Sequence, residues 1–194
     1  MQKNIRQQMR ETRQSLSIKE ISQYSDDLFR QFLALRETSE KIRSFKKIGF
    51  YYAFDGEIDP ISIMKYCWSE QEIKCYLPVV DRENSILKFK LYTSNTRLEK
   101  NSYQIWEPSN NEKSVSIDKL DLIFVPLTAF DSVGHRLGMG KGYYDNTLRG
   151  VTKKPYLIGL GYDFQCVEKI TPHSGDVKLD AVFTDKKSFI FNFN

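Results

Sequence analysis

No apolar run in the sequence approaches the roughly 18 residues that a membrane-spanning helix needs. The polar opening MQKNIRQQMRE also lacks the apolar centre of a secretion signal. A cytoplasmic location is therefore expected. Cysteine is scarce: Cys67, Cys75 and Cys166 are odd in number and show no C-x-x-C spacing, which excludes a disulfide framework or a zinc site and leaves three buried or partly buried thiols. The two histidines, His135 and His173, stand far apart and outside any triad or metal signature, so incidental roles are expected of them. No repeat, linker or low-complexity stretch interrupts the chain.

What is present describes an ordinary globular protein. With 194 residues, 40% of them hydrophobic and 28% charged, the whole chain, 1–194, reads as a single domain with one core, and a monomer is expected. The net charge of +4 favours anionic partners without distinguishing phosphate metabolites from nucleic acid or acidic lipid.

Lys3, Arg6, Arg10 and Arg13 recur at helical spacing and form one basic face of an N-terminal helix, with Ile5, Met9 and Leu16 on the other. Ser17 and Glu20 make a capping box that opens a longer helix, apolar at Ile18, Ile21, Leu28, Phe29 and Phe32, running to about Leu35. KKIGFYYAF reads as a buried strand, and a helix begins near Pro60. IKCYLPVV reads as a strand ended by its proline, ILKFKLY as a strand with one wet face, and LDLIFVPL as a central strand covered on both sides. YYDNTLR suits a short helix, and YLIGLGY and LDAVFTD are further strands. Strands separated by helices predict an α/β layered fold with a mainly parallel sheet, whose ligands bind beyond the carboxyl ends of the strands.

The loop 131–142 falls at such an end. Gly138, Gly140 and Gly142 lack side chains, so backbone N–H groups there can approach an anion, and a following helix would add its positive end. Arg136 and Lys141 bring charge, and Asp145 offers a carboxylate for a magnesium ion at the same phosphates. The spacing G-x-G-x-G matches neither the dinucleotide fingerprint nor the Walker pattern. From glycines alone, a tight strand-to-helix turn competes evenly with a ligand site, and the added charges favour the site. Of the adjacent Tyr143 and Tyr144, one is expected to pack inward while Tyr143 lines a pocket.

DLIFVPLTAFDSVGHRLGMGKGYYD resembles the signature of 5-formyltetrahydrofolate cyclo-ligases, also called 5,10-methenyltetrahydrofolate synthetases. The basic N-terminal helix, GFYYAFDGEID, IWEP and VKLDAVFTD extend the likeness over most of the chain. The resemblance implies a Rossmann-like three-layer α/β fold and the cyclisation of 5-formyltetrahydrofolate to 5,10-methenyltetrahydrofolate with ATP and Mg2+. It further implies ATP binding by Lys3, Arg6, Arg136, Leu137, Gly138, Met139, Gly140, Lys141, Gly142, Tyr143 and Tyr144, with Arg136 and Lys141 carrying the chemistry. Folate would contact Tyr52, Glu57, Trp106 and Tyr143, and Asp145 and Asp180 would hold the metal. Two departures stand out: Met139 where the family usually has arginine, and Gln2 where its N-terminal lysine would fall. An ATP- and folate-binding relative with lost or altered catalysis is the alternative these suggest. A nucleic-acid-binding module would explain the basic stripe, but no RNA-recognition or helix-turn-helix signature accompanies it.

Overall fold

The computed structural model describes residues 2–109 and 112–192. The chain opens with α1 (Gln2–Ser15) and α2 (Ile18–Thr38). Ser17 separates them: its Oγ accepts from Glu20 N–H at 3.2 Å while its own N–H donates to the Glu20 carboxylate at 2.8 Å. That reciprocal cap, of a kind worth about 1 kcal/mol, stops one helix and starts the next at the expected residue. The short α3 (Glu40–Ser44), β1 (Lys47–Gly49), α4 (Ile61–Ser69), β2 (Lys74–Asp81) and β3 (Ile86–Tyr92) follow. A small hairpin, β4 (Leu98–Lys100) with β5 (Trp106–Pro108), and the two-residue β6 (Ser114–Val115) lead to β7 (Leu122–Pro126). Then come β8 (Ala129–Asp131), β9 (Arg136–Leu137), α5 (Tyr143–Leu148), β10 (Tyr156–Leu160), β11 (Cys166–Val167), β12 (Ala181–Phe183) and β13 (Ser188–Ile190).

The main sheet has the order β13-β12-β10-β7-β1-β2-β3-β6. The five inner strands from β12 to β2 run parallel, and the outer pairings, β13 on β12, β3 on β2 and β6 on β3, are antiparallel. Successive residues of the inner strands enter opposite cores: Leu122 and Phe124 pack with Leu28 and Phe32 of α2, while Ile123 and Val125 pack with Leu148 of α5 and with Leu179. Burial on both faces explains why these strands are apolar at nearly every position. The layers are unequal, however. Helices α2, α3 and α4 cover one face, and the other is covered by the six-residue α5 and extended segments rather than by a full helical layer.

Two expected strands differ in extent. KKIGFYYAF pairs only over Lys47–Gly49, after which residues 50–60 leave the sheet. Pro78 does not end β2, which continues to Asp81. The Tyr76 carbonyl accepts from Phe50 N–H at 2.8 Å, the last contact on the β1 side, so the imide nitrogen two residues later faces a side with no strand. Glu107 reaches that same side, its carboxylate accepting from Val80 N–H at 3.3 Å.

The carboxyl ends of β1 and β7 open into one space. A small sheet, β11-β8-β9, extends the structure there and receives the apolar side of α1 through Ile5 and Met9, which pack with Ala129, Leu137 and Ile170. Its hairpin is fixed by Asp131, whose carboxylate accepts from the N–H groups of Val133, His135 and Ile170 and from the His135 ring. No helix among the described residues is long and apolar enough to cross a membrane.

Candidate active site

A cavity of about 730 Å³ lies where residues 51–57, the hairpin around Trp106, the end of β7 and the loop 136–145 meet α1. Its size suits a nucleotide and a second small molecule.

The loop 136–145 forms one wall. A Cβ placed at Gly138 or Gly140 would meet nothing within 4 Å, so the space over these residues is open. Gly140 has φ +89° and Gly142 φ +68°, left-handed values that favour glycine. Gly142 is the N-cap of α5, which at six residues offers only a short N-terminus. Lys141 is exposed at the rim and Met139 is 43% exposed, its sulfur 3.9 Å from the Thr128 hydroxyl.

Arg136 is not a free fork. It is buried, with NH1 donating to the Val177 carbonyl and NH2 donating to Asp145 Oδ1 at 2.8 Å. Asp145 Oδ1 also accepts from Val177 N–H at 3.0 Å. Arg136 therefore anchors the glycine loop to the segment before β12 while one edge of it lines the cavity. Arg6 supplies a second cation: its Nε donates to the Gly138 carbonyl at 2.9 Å, which ties α1 to the loop, and the residue lines the cavity.

The second wall is aromatic and acidic. Tyr52 and Trp106 line it, Trp106 being 39% exposed with the Lys100 ammonium 5.2 Å from its ring. Tyr143 bonds hydroxyl to hydroxyl with Tyr103 at 2.9 Å, and the Arg82 guanidinium lies 5.1 Å from the Tyr103 ring. Deeper in, Glu57 is buried; Phe54 N–H donates to its Oε2 at 3.3 Å, and its Oε1 lies 3.7 Å from Arg13 NH1. Loss of solvent pushes its carboxyl up to about 7 against the pull of the Arg13 cation and the Phe54 N–H, with the charge of Asp55 adding to the rise.

Most of the predicted residues come together. Arg6, Arg136, Leu137, Gly138, Met139, Gly140, Lys141, Gly142, Tyr143, Tyr144, Asp145, Tyr52, Glu57 and Trp106 all line this cavity. Tyr144 lines it alongside Tyr143, so neither tyrosine is purely a core residue; burial and the nearby Glu57 charge push the Tyr144 hydroxyl well above its ordinary range.

Two predicted residues do not join them. Lys3 is exposed and off the cavity, while Gln2, one position earlier on α1, lines it and donates to the Thr171 carbonyl. Asp180 lies at the opposite end of the sheet: its Oδ2 accepts from Leu157 N–H at 2.8 Å, at the start of β10, and its Oδ1 from Asn192 at 3.4 Å. Asp145 lines the cavity and Asp180 does not, so the two carboxylates predicted to share a metal are not brought together there. The predicted basic stripe is divided: Lys3 and Arg10 are exposed, Arg6 is half-buried at the cavity, and Arg13 is buried. Arg13 is 1% exposed and pairs with Asp55 at 3.3 Å, and Arg10 pairs with the same carboxylate at 2.6 Å.

Sequence reasoning missed Tyr103, Thr128 and Asp176, and treated His173 as incidental although it reaches the rim. Tyr103 carried a usable signal, three residues before Trp106 in the same short hairpin. Thr128 carried none, since its place depends on how the chain leaves β7.

The sequence pattern of the 5-formyltetrahydrofolate cyclo-ligase family matches residues 1–185. A 5-formyltetrahydrofolate cyclo-ligase of Haemophilus influenzae is 35% identical over 178 residues, covering 90% of this chain and 92% of the relative. One from Mus musculus is 29% identical over 171 residues, covering 81% and 84%. The solved structure of Aquifex aeolicus 5,10-methenyltetrahydrofolate synthetase superposes with a TM-score of 0.81 at 26% identity, over 99% of this chain and 93% of that one. An open glycine loop flanked by cations, an aromatic wall and a buried carboxylate thus occur in a chain that belongs to the 5-formyltetrahydrofolate cyclo-ligase family.

Proposed function

We propose that this chain converts 5-formyltetrahydrofolate to 5,10-methenyltetrahydrofolate, using ATP and releasing ADP and phosphate, within the cavity between the glycine loop and the aromatic wall. The observation that carries this reading is the juxtaposition itself: a cradle suited to phosphates and a slot suited to a flat ring share one space. In the reaction the formyl oxygen attacks the γ-phosphate, and the folate N10 then closes on the activated carbon and expels phosphate. Both attacking atoms belong to the folate, so the protein has to position and to stabilise charge.

The residues divide accordingly. Gly138 and Gly140 let the loop backbone approach the ATP phosphates, with Arg6 and Lys141 as cations on either side. Arg136 holds the loop in register through Val177 and Asp145 and presents the rest of its charge to the transferring phosphoryl group. Tyr52, Trp106 and Tyr143 enclose the folate rings, and Glu57 contacts their polar edge.

Mg2+ is read as arriving with the nucleotide. Among the described residues no group of three His, Cys, Asp or Glu side chains is placed to hold a metal, which fits an ion that keeps its waters and is bound through phosphates and one carboxylate. Asp145 would be that carboxylate, through the oxygen Arg136 does not use. When bound, the ion neutralises charge on the phosphates. The same reading has the chain act as a cytoplasmic monomer on small molecules, with no nucleic acid or membrane as partner.

The test is to incubate the protein with 5-formyltetrahydrofolate, ATP and magnesium and to follow the absorbance of methenyltetrahydrofolate, omitting ATP as the control. ATP-dependent product is expected. The exposed Met139 and the neutral Gln2 favour one second reading, a relative that binds both ligands without turnover. Binding of both by calorimetry with no product would establish it.

A further inference from the structure

Ring closure leaves one proton to be placed. In the cyclo-ligase reaction proposed above, N10 attacks as a secondary amine, and the product carries no hydrogen on that nitrogen. One N–H bond therefore breaks in each turnover, while the departing phosphate takes the oxygen. A group in the cavity has to accept that proton.

Among the described residues, four carboxylates line the cavity. Asp145 is held by Arg136 and Val177 N–H. Glu107 accepts from Val80 N–H and from the Asn101 amide at 3.0 Å. Asp176 is exposed and accepts from His173 N–H at 2.8 Å. Glu57 alone is buried with one oxygen that accepts no hydrogen bond: Oε2 takes Phe54 N–H, and Oε1 has only the Arg13 guanidinium at 3.7 Å. Arg13 is itself 1% exposed, its Nε is buried with no partner, and its NH2 is shared with Asp55. Its NH1 also donates to the Leu127 carbonyl at 3.4 Å, so the guanidinium is fixed beside Glu57.

Resting on the cyclo-ligase reading, we propose that Glu57 takes the N10 proton during ring closure and that Arg13 is the positioning residue that keeps it ready to do so. The N10 lone pair forms the new C–N bond, and the N–H electron pair returns to nitrogen as the proton passes to Oε1. The C–O bond then breaks with its electrons going to the phosphate oxygen. Glu57 releases its proton to solvent as the product departs.

The groups facing Glu57 set its behaviour. Arg13 of α1 favours the charged form; Asp55 on the same segment opposes it. Tyr51, Tyr144 of α5 and Tyr162 after β10 complete the surroundings, all with hydroxyls held neutral by burial. A carboxyl poised at about 7 is partly ionised at neutral pH and basic enough to keep the proton it receives.

The experiment measures ADP release from pH 5.5 to 8.5 at saturating ATP, with 5-formyltetrahydrofolate varied. For the wild type, kcat is expected to fall on the acid side with a one-proton midpoint near 7. Glu57→Gln, which should melt cooperatively because it removes a buried charge, is expected to lose kcat about 100-fold with a smaller change in KM, and to lose the acid limb. Arg13→Met should move the midpoint to higher pH, and Arg13→Lys should return it towards the wild-type value. A Glu57→Gln protein whose kcat stays within a few-fold while folate KM rises, or whose acid limb persists, would overturn the assignment and leave Glu57 a binding residue. A wild-type protein that releases no folate-dependent ADP would overturn the cyclo-ligase reading itself.

Discussion

Gly56 and Gly138 belong to the two segments that frame the cavity, and their surroundings differ completely. A Cβ at Gly56 would stand 2.7 Å from the Arg13 carbonyl oxygen, and its φ of +72° is left-handed; the glycine is needed because α1 fills the space. A Cβ at Gly138 would meet nothing within 4 Å. The space at Gly138 is left for something the protein itself does not supply. On one side glycine permits packing, and on the other it permits approach. The same division holds for the charged residues: Arg13 is spent inside the fold on Asp55 and Glu57, whereas Lys141 stands exposed at the rim.

This contrast can be broken most severely from the packed side. Gly56→Ala should cost about 3–5 kcal/mol in urea unfolding, from left-handed strain plus a clash with α1 backbone. Activity should fall with it as Arg6 and Gln2 are displaced. An unchanged unfolding midpoint would mean that α1 does not lie on this segment.

Arg136→Lys sits between the two regimes, because Arg136 is both an anchor and a lining residue. Lysine cannot reach Val177 and Asp145 together, so stability should drop by about 2–3 kcal/mol and kcat should fall as well. Loss of kcat with unchanged stability would assign Arg136 to the ligand alone.

Glu57→Gln sharpens the comparison through pH. The folded-state pKa, about 7, is raised above the ordinary 4.5, so the buried carboxyl favours folding when protonated. That contribution is complete below pH 4.5 and is lost as pH rises through 7. Relative to wild type, the glutamine variant should therefore be more stable by about 3 kcal/mol at pH 8 and close to it near pH 4.5, read from urea midpoints at each pH. A constant difference at both values would show that Glu57 stays ionised throughout.

Met139→Arg should have the smallest effect. At 43% exposure on the open loop, it should leave stability within about 0.5 kcal/mol of wild type while lowering the KM for ATP by a few-fold. A rise in that KM would place the nucleotide away from this loop.

Much of this arrangement was legible in the sequence. Alternation between two cores wrote itself into LDLIFVPL, and the Ser17–Glu20 cap marked the break between α1 and α2 within a residue. The glycine loop, with its flanking Arg136 and Lys141, was readable because ligand-facing loops need unusual residues close together in the chain. What was not readable depends on partners distant in sequence. Asp180 has a carboxylate in a promising stretch, but its bond to Leu157 at the far end of the sheet is fixed only by strand order. Helical spacing placed Lys3 and Arg13 on one basic face, yet it could not say that Gln2 would turn inward or that Arg13 would be buried. Pro78 looked like a strand end because proline lacks a donor; only the early end of β1 made that donor unnecessary.

Whether the open glycine wall is the phosphate cradle can be decided with Gly138→Ala, measuring the KM for ATP at saturating folate together with the melting temperature. An unchanged melting temperature and a KM raised at least about 10-fold are expected, a cost of some 1.4 kcal/mol. An unchanged KM in an equally stable protein would contradict it.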